Sequence, residues 1–120
     1  MSPEKAEIII VDDNEDRSSS LATFLIRAGH QILGIATTRK EAEKIIAEIK
    51  KLDVALLDGN LDPTESNPHM FGVDGEHLAK LVRQKFPQVK VISISGRPQD
   101  WSDTPLLRGG AEIAEAVTKA

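Results

Sequence analysis

The sequence predicts an α/β domain built on a parallel sheet with helices on both faces. Three observations carry that expectation. Short β-branched runs such as Ile8-Ile9-Ile10-Val11 have no polar interruption, as strands buried on both sides require. Amphipathic segments of helical period separate those runs. The chain has 120 residues, 40% hydrophobic and 28% charged, the usage of one ordinary globular domain. Residues 1–120 are therefore expected to form a single domain.

The elements follow in order. Residues 8–11 form the first strand. Asn14 suits the cap of a helix whose apolar stripe is Leu21, Phe24, Leu25 and Ala28, closed by Gly29. Residues 31–36 form a second short strand. Thr38 and Glu41 make a capping box, and Ala42, Ile45, Ile46 and Ile49 behind it follow the i, i+3, i+4, i+7 rule. Val54-Ala55-Leu56-Leu57 is the third strand and ends at Asp58. Residues 59–72 hold Pro63, Asn67, Pro68 and Gly72 and read as a loop. A helix then runs from Asp74 through Leu78, Leu81 and Val82 towards Phe86, where Pro87 stops it. Residues 89–94 form the fourth strand. Thr104-Pro105 suits the start of a short helix closed by Gly109-Gly110. Residues 111–117 fit a strand or a helix equally.

Composition excludes several function classes. Cysteine is absent, so there is no disulfide, thiolate metal site or cysteine nucleophile, and a cytoplasmic protein is the natural expectation. No apolar run is long enough to span a membrane. The net charge is −4 and is unevenly placed: residues 1–16 carry −5 and the remainder +1. With no basic patch, direct nucleic-acid binding is not expected. Acidity packed beside a hydrophobic strand points to a cation instead.

In parallel α/β sheets, ligands bind at the carboxyl ends of the strands. The residues there are Asp12 and Asp13 after the first strand, Asp58 after the third, and Ser95 with Gly96 after the fourth. Asp13 or Asp58 alone reads as a cap or turn residue. Three carboxylates converging with a hydroxyl read as a site, because they repel one another unless a cation neutralises them. All-oxygen ligation with few protein ligands suits Mg²⁺. A carboxylate beside Mg²⁺ is a nucleophile towards phosphorus, giving an aspartyl-phosphate.

The run Ile9-Ile10-Val11-Asp12-Asp13, then Leu56-Leu57-Asp58, then Val91-Ile92-Ser93-Ile94-Ser95-Gly96 resembles the receiver domain of two-component response regulators, with Gly75 also matching. The resemblance implies a doubly wound, flavodoxin-like fold of five parallel strands in the order 2-1-3-4-5. It implies that Asp58 takes a phosphoryl group from a histidine kinase or phosphotransfer protein. Asp13 would bind Mg²⁺ directly, Asp12 through water, and Asn60 through its backbone carbonyl. Ser95 would be the switch hydroxyl and Lys119 the basic partner of the phosphoryl oxygens. Such a domain is a signalling module and catalyses no more than its own phosphorylation and dephosphorylation.

The sequence departs from the family in four places. Asp58 and Gly75 lie 17 positions apart, which gives an inserted loop at about 62–73, containing His69. That loop reads as a tolerated surface insertion or as a lid or recognition segment. Lys119 is followed by Ala120 in place of the family's proline. Position 116 is alanine where the family has an aromatic switch residue, and Trp101 reads as a packing residue. The family's final helix is expected to be missing, which would expose apolar sheet surface and favour a homodimer. Two alternative functions stand beside this one. One is a pseudo-receiver that binds proteins without phosphorylation. The other is a haloacid-dehalogenase-like phosphohydrolase, which would carry a second aspartate where this chain has Asn60.

Overall fold

The structure is a computed structural model and describes residues 6–58, 73–94, 102–103, 113 and 117. Seven elements alternate: β1 (Glu7–Val11), α1 (Glu15–Arg27), β2 (Gln31–Ala36), α2 (Arg39–Glu48), β3 (Val54–Leu57), α3 (Val73–Lys85) and β4 (Lys90–Ser93). The strands are all parallel and lie in the order β2-β1-β3-β4. Central β1 runs beside β3 with Ile8 opposite Val54 and Val11 opposite Leu57, so these two strands end side by side.

The period-two alternation of a strand divides the core in two. Ile9, Val11, Ala55, Leu57 and Val91 pack against Ala42 and Ile46 of α2 and Leu78, Ala79 and Val82 of α3. Ile8, Ile10, Val54, Leu56 and Ile92 pack against Leu21, Ala22 and Leu25 of α1. The stripe expected on α1 is narrower than its sequence suggested: Leu21 and Leu25 are buried, whereas Phe24 is 48% exposed.

Helix ends follow from local chemistry. Asn14 accepts the Arg17 N–H at 3.0 Å, and Thr38 accepts the Glu41 N–H at 3.2 Å. Helix α1 ends in a Schellman motif, with His30 N–H on the Leu25 carbonyl and Gly29 N–H on the Ile26 carbonyl. Gly29 sits at φ 95°, a left-handed conformation that strains any residue with a Cβ.

The far side of β4 differs from the five-stranded expectation. Among the described residues no fifth strand pairs with β4. Ser102 and Asp103 lie along its outer edge instead. Asp103 N–H donates to the Val91 carbonyl at 2.7 Å, and Val91 N–H donates to Asp103 Oδ2 at 2.8 Å. Ser93 N–H donates to Ser102 Oγ at 2.9 Å. Side-chain oxygens thus accept the outward N–H groups of Val91 and Ser93, which a neighbouring strand would otherwise satisfy. Arg83 Nη2 of α3 holds Asp103 Oδ2 at 3.2 Å.

Two described residues near the end of the chain cover part of the sheet. Ile113 and Val117 are helical and buried, and they join the cluster of Ile8, Ile10, Leu56 and Ile92 on the α1 face. On that face Ile8, Ile10, Val54, Leu56 and Ile92 are buried, whereas Ile35 of β2, opposite Ile10, is 40% exposed. The inserted loop at about 62–73 lies outside the described residues, apart from the backbone of Val73 at the start of α3. So do Trp101 and the short helix expected from Thr104.

Candidate acidic site at the strand ends

The neighbouring ends of β1 and β3 place the acidic residues together. Asp12 N–H still bonds to the Ala36 carbonyl of β2 at 2.9 Å, and Asp58 N–H to the Val11 carbonyl at 2.8 Å. Backbone pairing therefore carries Asp12 and Asp58 to the rim on adjacent strands. One carboxylate oxygen from each of Asp12, Asp13 and Asp58 lies within 4.8 Å of the others. Asp12 and Asp58 are buried, while Asp13 is exposed. Asn14 N–H donates to Asp12 Oδ1 at 3.0 Å, which fixes that carboxylate against the start of α1. Ser18, buried in the next turn, donates to the Asn14 carbonyl at 3.0 Å and anchors the same corner.

Arg17 completes the cluster, and the sequence reading passed it over. Its Nε donates to Asp12 Oδ2 in a close contact, and its Nη2 donates to Asp12 Oδ1 at 2.7 Å. The same Nη2 reaches Asp58 Oδ2 at 3.3 Å. The guanidinium thus grips Asp12 with both arms of its fork and bridges to Asp58. The hydrogen bond to Asp12, followed by the charges of Asp12, Asp58 and Asp13, raises the Arg17 pKa against the opposing effect of desolvation. A signal was present in the sequence. Arg17 is the third residue of α1, where the helix dipole disfavours a cation, so a cation there needs another source of stabilisation.

Among the described residues, three carboxylates and one guanidinium leave a formal excess of two negative charges. An all-oxygen donor set with that excess fits a hard divalent cation such as Mg²⁺. Asp12, Asp13 and Asp58 are the described residues that would hold it, and it would offset charge on a phosphoryl group arriving at Asp58. Asn60, Ser95 and Lys119 lie outside the described residues, as does His69. Val117, two positions before Lys119, is helical.

No protein-family model matches the chain. Solved structures do match. A CheY-like response regulator receiver domain protein from Methanospirillum hungatei is 20% identical, with 96% of this chain and 92% of that chain covered and a TM-score of 0.75. The response regulator receiver domain of PhyR from Erythrobacter litoralis is 21% identical, covering 99% and 92%, with a TM-score of 0.74. The fold is a receiver fold. A response regulator from Burkholderia pseudomallei, solved with a phosphorylated aspartic acid, a calcium ion and citrate, is 22% identical with a TM-score of 0.63. That comparison covers 80% of this chain and 50% of the Burkholderia chain. The receiver likeness holds with β4 as the last strand among the described residues. No helix among those residues is long and apolar enough to cross a membrane.

Proposed function

We propose that this receiver is a phosphoacceptor of a two-component relay. The observation that carries the reading is the convergence of Asp12, Asp13 and Asp58 at the carboxyl ends of adjacent strands of a receiver fold. A histidine kinase or phosphotransfer protein supplies the phosphoryl group. A carboxylate oxygen of Asp58 forms the new bond to phosphorus while the donor's bond to phosphorus breaks. Asp12, Asp13 and Asp58, with the Asn60 carbonyl, would hold Mg²⁺, which would supply positive charge to offset that on the transferred group. Ser95 then serves as the switch hydroxyl and Lys119 as a basic partner. The Burkholderia protein, with its phosphorylated aspartic acid and calcium ion, supports this chemistry for the fold. The output is a change in protein contacts, with no substrate turned over, in a cytoplasmic setting.

A second reading is favoured by a specific observation. The guanidinium of Arg17 already pairs with Asp12 and Asp58, as a receiver used only for protein contacts would tolerate. One experiment separates the two. Incubation with Mg²⁺ and acetyl phosphate should add the mass of one phosphoryl group to the wild-type chain, and Asp58→Asn should abolish the gain. An unchanged wild-type mass, checked against a known receiver under the same conditions, would leave the interaction-only reading in place.

A further inference from the structure

We propose that Arg17 is, among the described residues, the resident counter-cation of Asp12 and that a divalent metal drawing on Asp12 enters only as the guanidinium leaves it. This deepens the phosphoacceptor reading and rests on its metal-binding part. Both oxygens of the Asp12 carboxylate already accept from Arg17, and Asp12 is fully buried. A metal drawing on Asp12 and Asp58 competes with those bonds for the same lone pairs. It also competes for the same charge, since two positive centres among three carboxylates repel each other.

The geometry makes the displacement feasible. Arg17 is anchored in the first turn of α1, and its side chain is 47% exposed while that of Asp12 is 0% exposed. Its long stem can swing the head into water without unwinding the helix or moving β1. The helix dipole disfavours a cation at this position, so the dipole assists release. Asp13 and Asp58 contribute attraction without being gripped at both oxygens by Arg17. The site therefore has two arrangements: one closed by Arg17, the other opened for a metal. Metal affinity reports the difference between them.

The test uses the whole chain and MgCl₂ as the probe. Isothermal titration should give Mg²⁺ binding roughly ten- to hundredfold tighter in Arg17→Gln than in wild type, because charge-assisted bonds to a buried carboxylate no longer oppose entry. Arg17→Lys, a point charge that cannot fork onto both oxygens, should fall between. On the unmodified chain, the Arg17 Nε–H resonance should move towards a solvent-exposed position as Mg²⁺ is added, and this reading survives any misfolding of the variants. Equal Mg²⁺ affinities in wild type and Arg17→Gln, with an Arg17 resonance unmoved at saturation, would overturn the inference and leave the phosphoacceptor reading standing. No Mg²⁺ binding in either chain would overturn both.

Discussion

Asp103→Ala removes the acceptor that holds the outer edge of β4. The Val91 N–H is partly buried and donates to Asp103 Oδ2 at 2.8 Å. Losing a bond to a charged acceptor while the donor stays in place costs about 1.5–3 kcal/mol. The Arg83 ion pair, with both side chains about one-third exposed, adds under about 1 kcal/mol. The expected loss is therefore about 2–3 kcal/mol. For a chain of 120 residues the unfolding entropy is about 0.25 kcal/mol/K, so Tm should fall by about 8–12 °C. Asp103→Asn keeps an oxygen at the same place and should lose about half as much. Urea denaturation at constant m-value measures the loss. Hydrogen exchange localises it: the Val91 amide should exchange faster, while the Ile94 amide, bonded to the Leu57 carbonyl of β3, should change far less. A midpoint within about 0.5 kcal/mol of wild type, the spread of ordinary surface substitutions, would refute the edge cap.

Two other expectations concern stability. Ile113→Ala should cost about 2–4 kcal/mol by urea denaturation, because Ile113 is buried against the α1 face of the sheet; a loss under about 1 kcal/mol would mean that it does not cover that face. His30 is buried, its Nδ1 accepts the Ala6 N–H at 2.9 Å, and desolvation lowers its pKa from 6.5. As pH falls through 6.5 the unfolded chain takes up the proton before the folded one, so stability present above 6.5 declines below it. His30→Asn should flatten that decline below about pH 6.5, and an unchanged slope would show that His30 does not set it.

Most of the sheet was legible in the sequence because its strands are short, apolar and bounded by capping residues. Asn14, Gly29 and Thr38 each do locally what their residue type suggested. The end of the chain was not legible, and the reason is arithmetic. Ile113 and Val117 are four apart, a spacing that satisfies both the period of two and the period of 3.6. Alanine and glutamate around them favour helix, and that propensity was the signal available. Ser102 and Asp103 carried no periodic signal at all, since a side chain that caps a strand edge is recognised by where it lands.

The acidic site divides in the same way. Asp12, Asp13 and Asp58 were readable because each follows a strand, and parallel strands of like register must end together. Their pattern by itself determined a parallel α/β frame and an acidic crevice of oxygen donors. Only the tertiary structure decided that Arg17 bridges Asp12 and Asp58 and that β4 is closed by side chains. The physical reason is the range of the interactions. Strand burial and helix capping are set by neighbours in sequence, so residue order records them. The guanidinium bridge joins residues 17 and 58, and the edge cap joins 91 and 103. Those contacts exist only once the sheet has brought distant segments together.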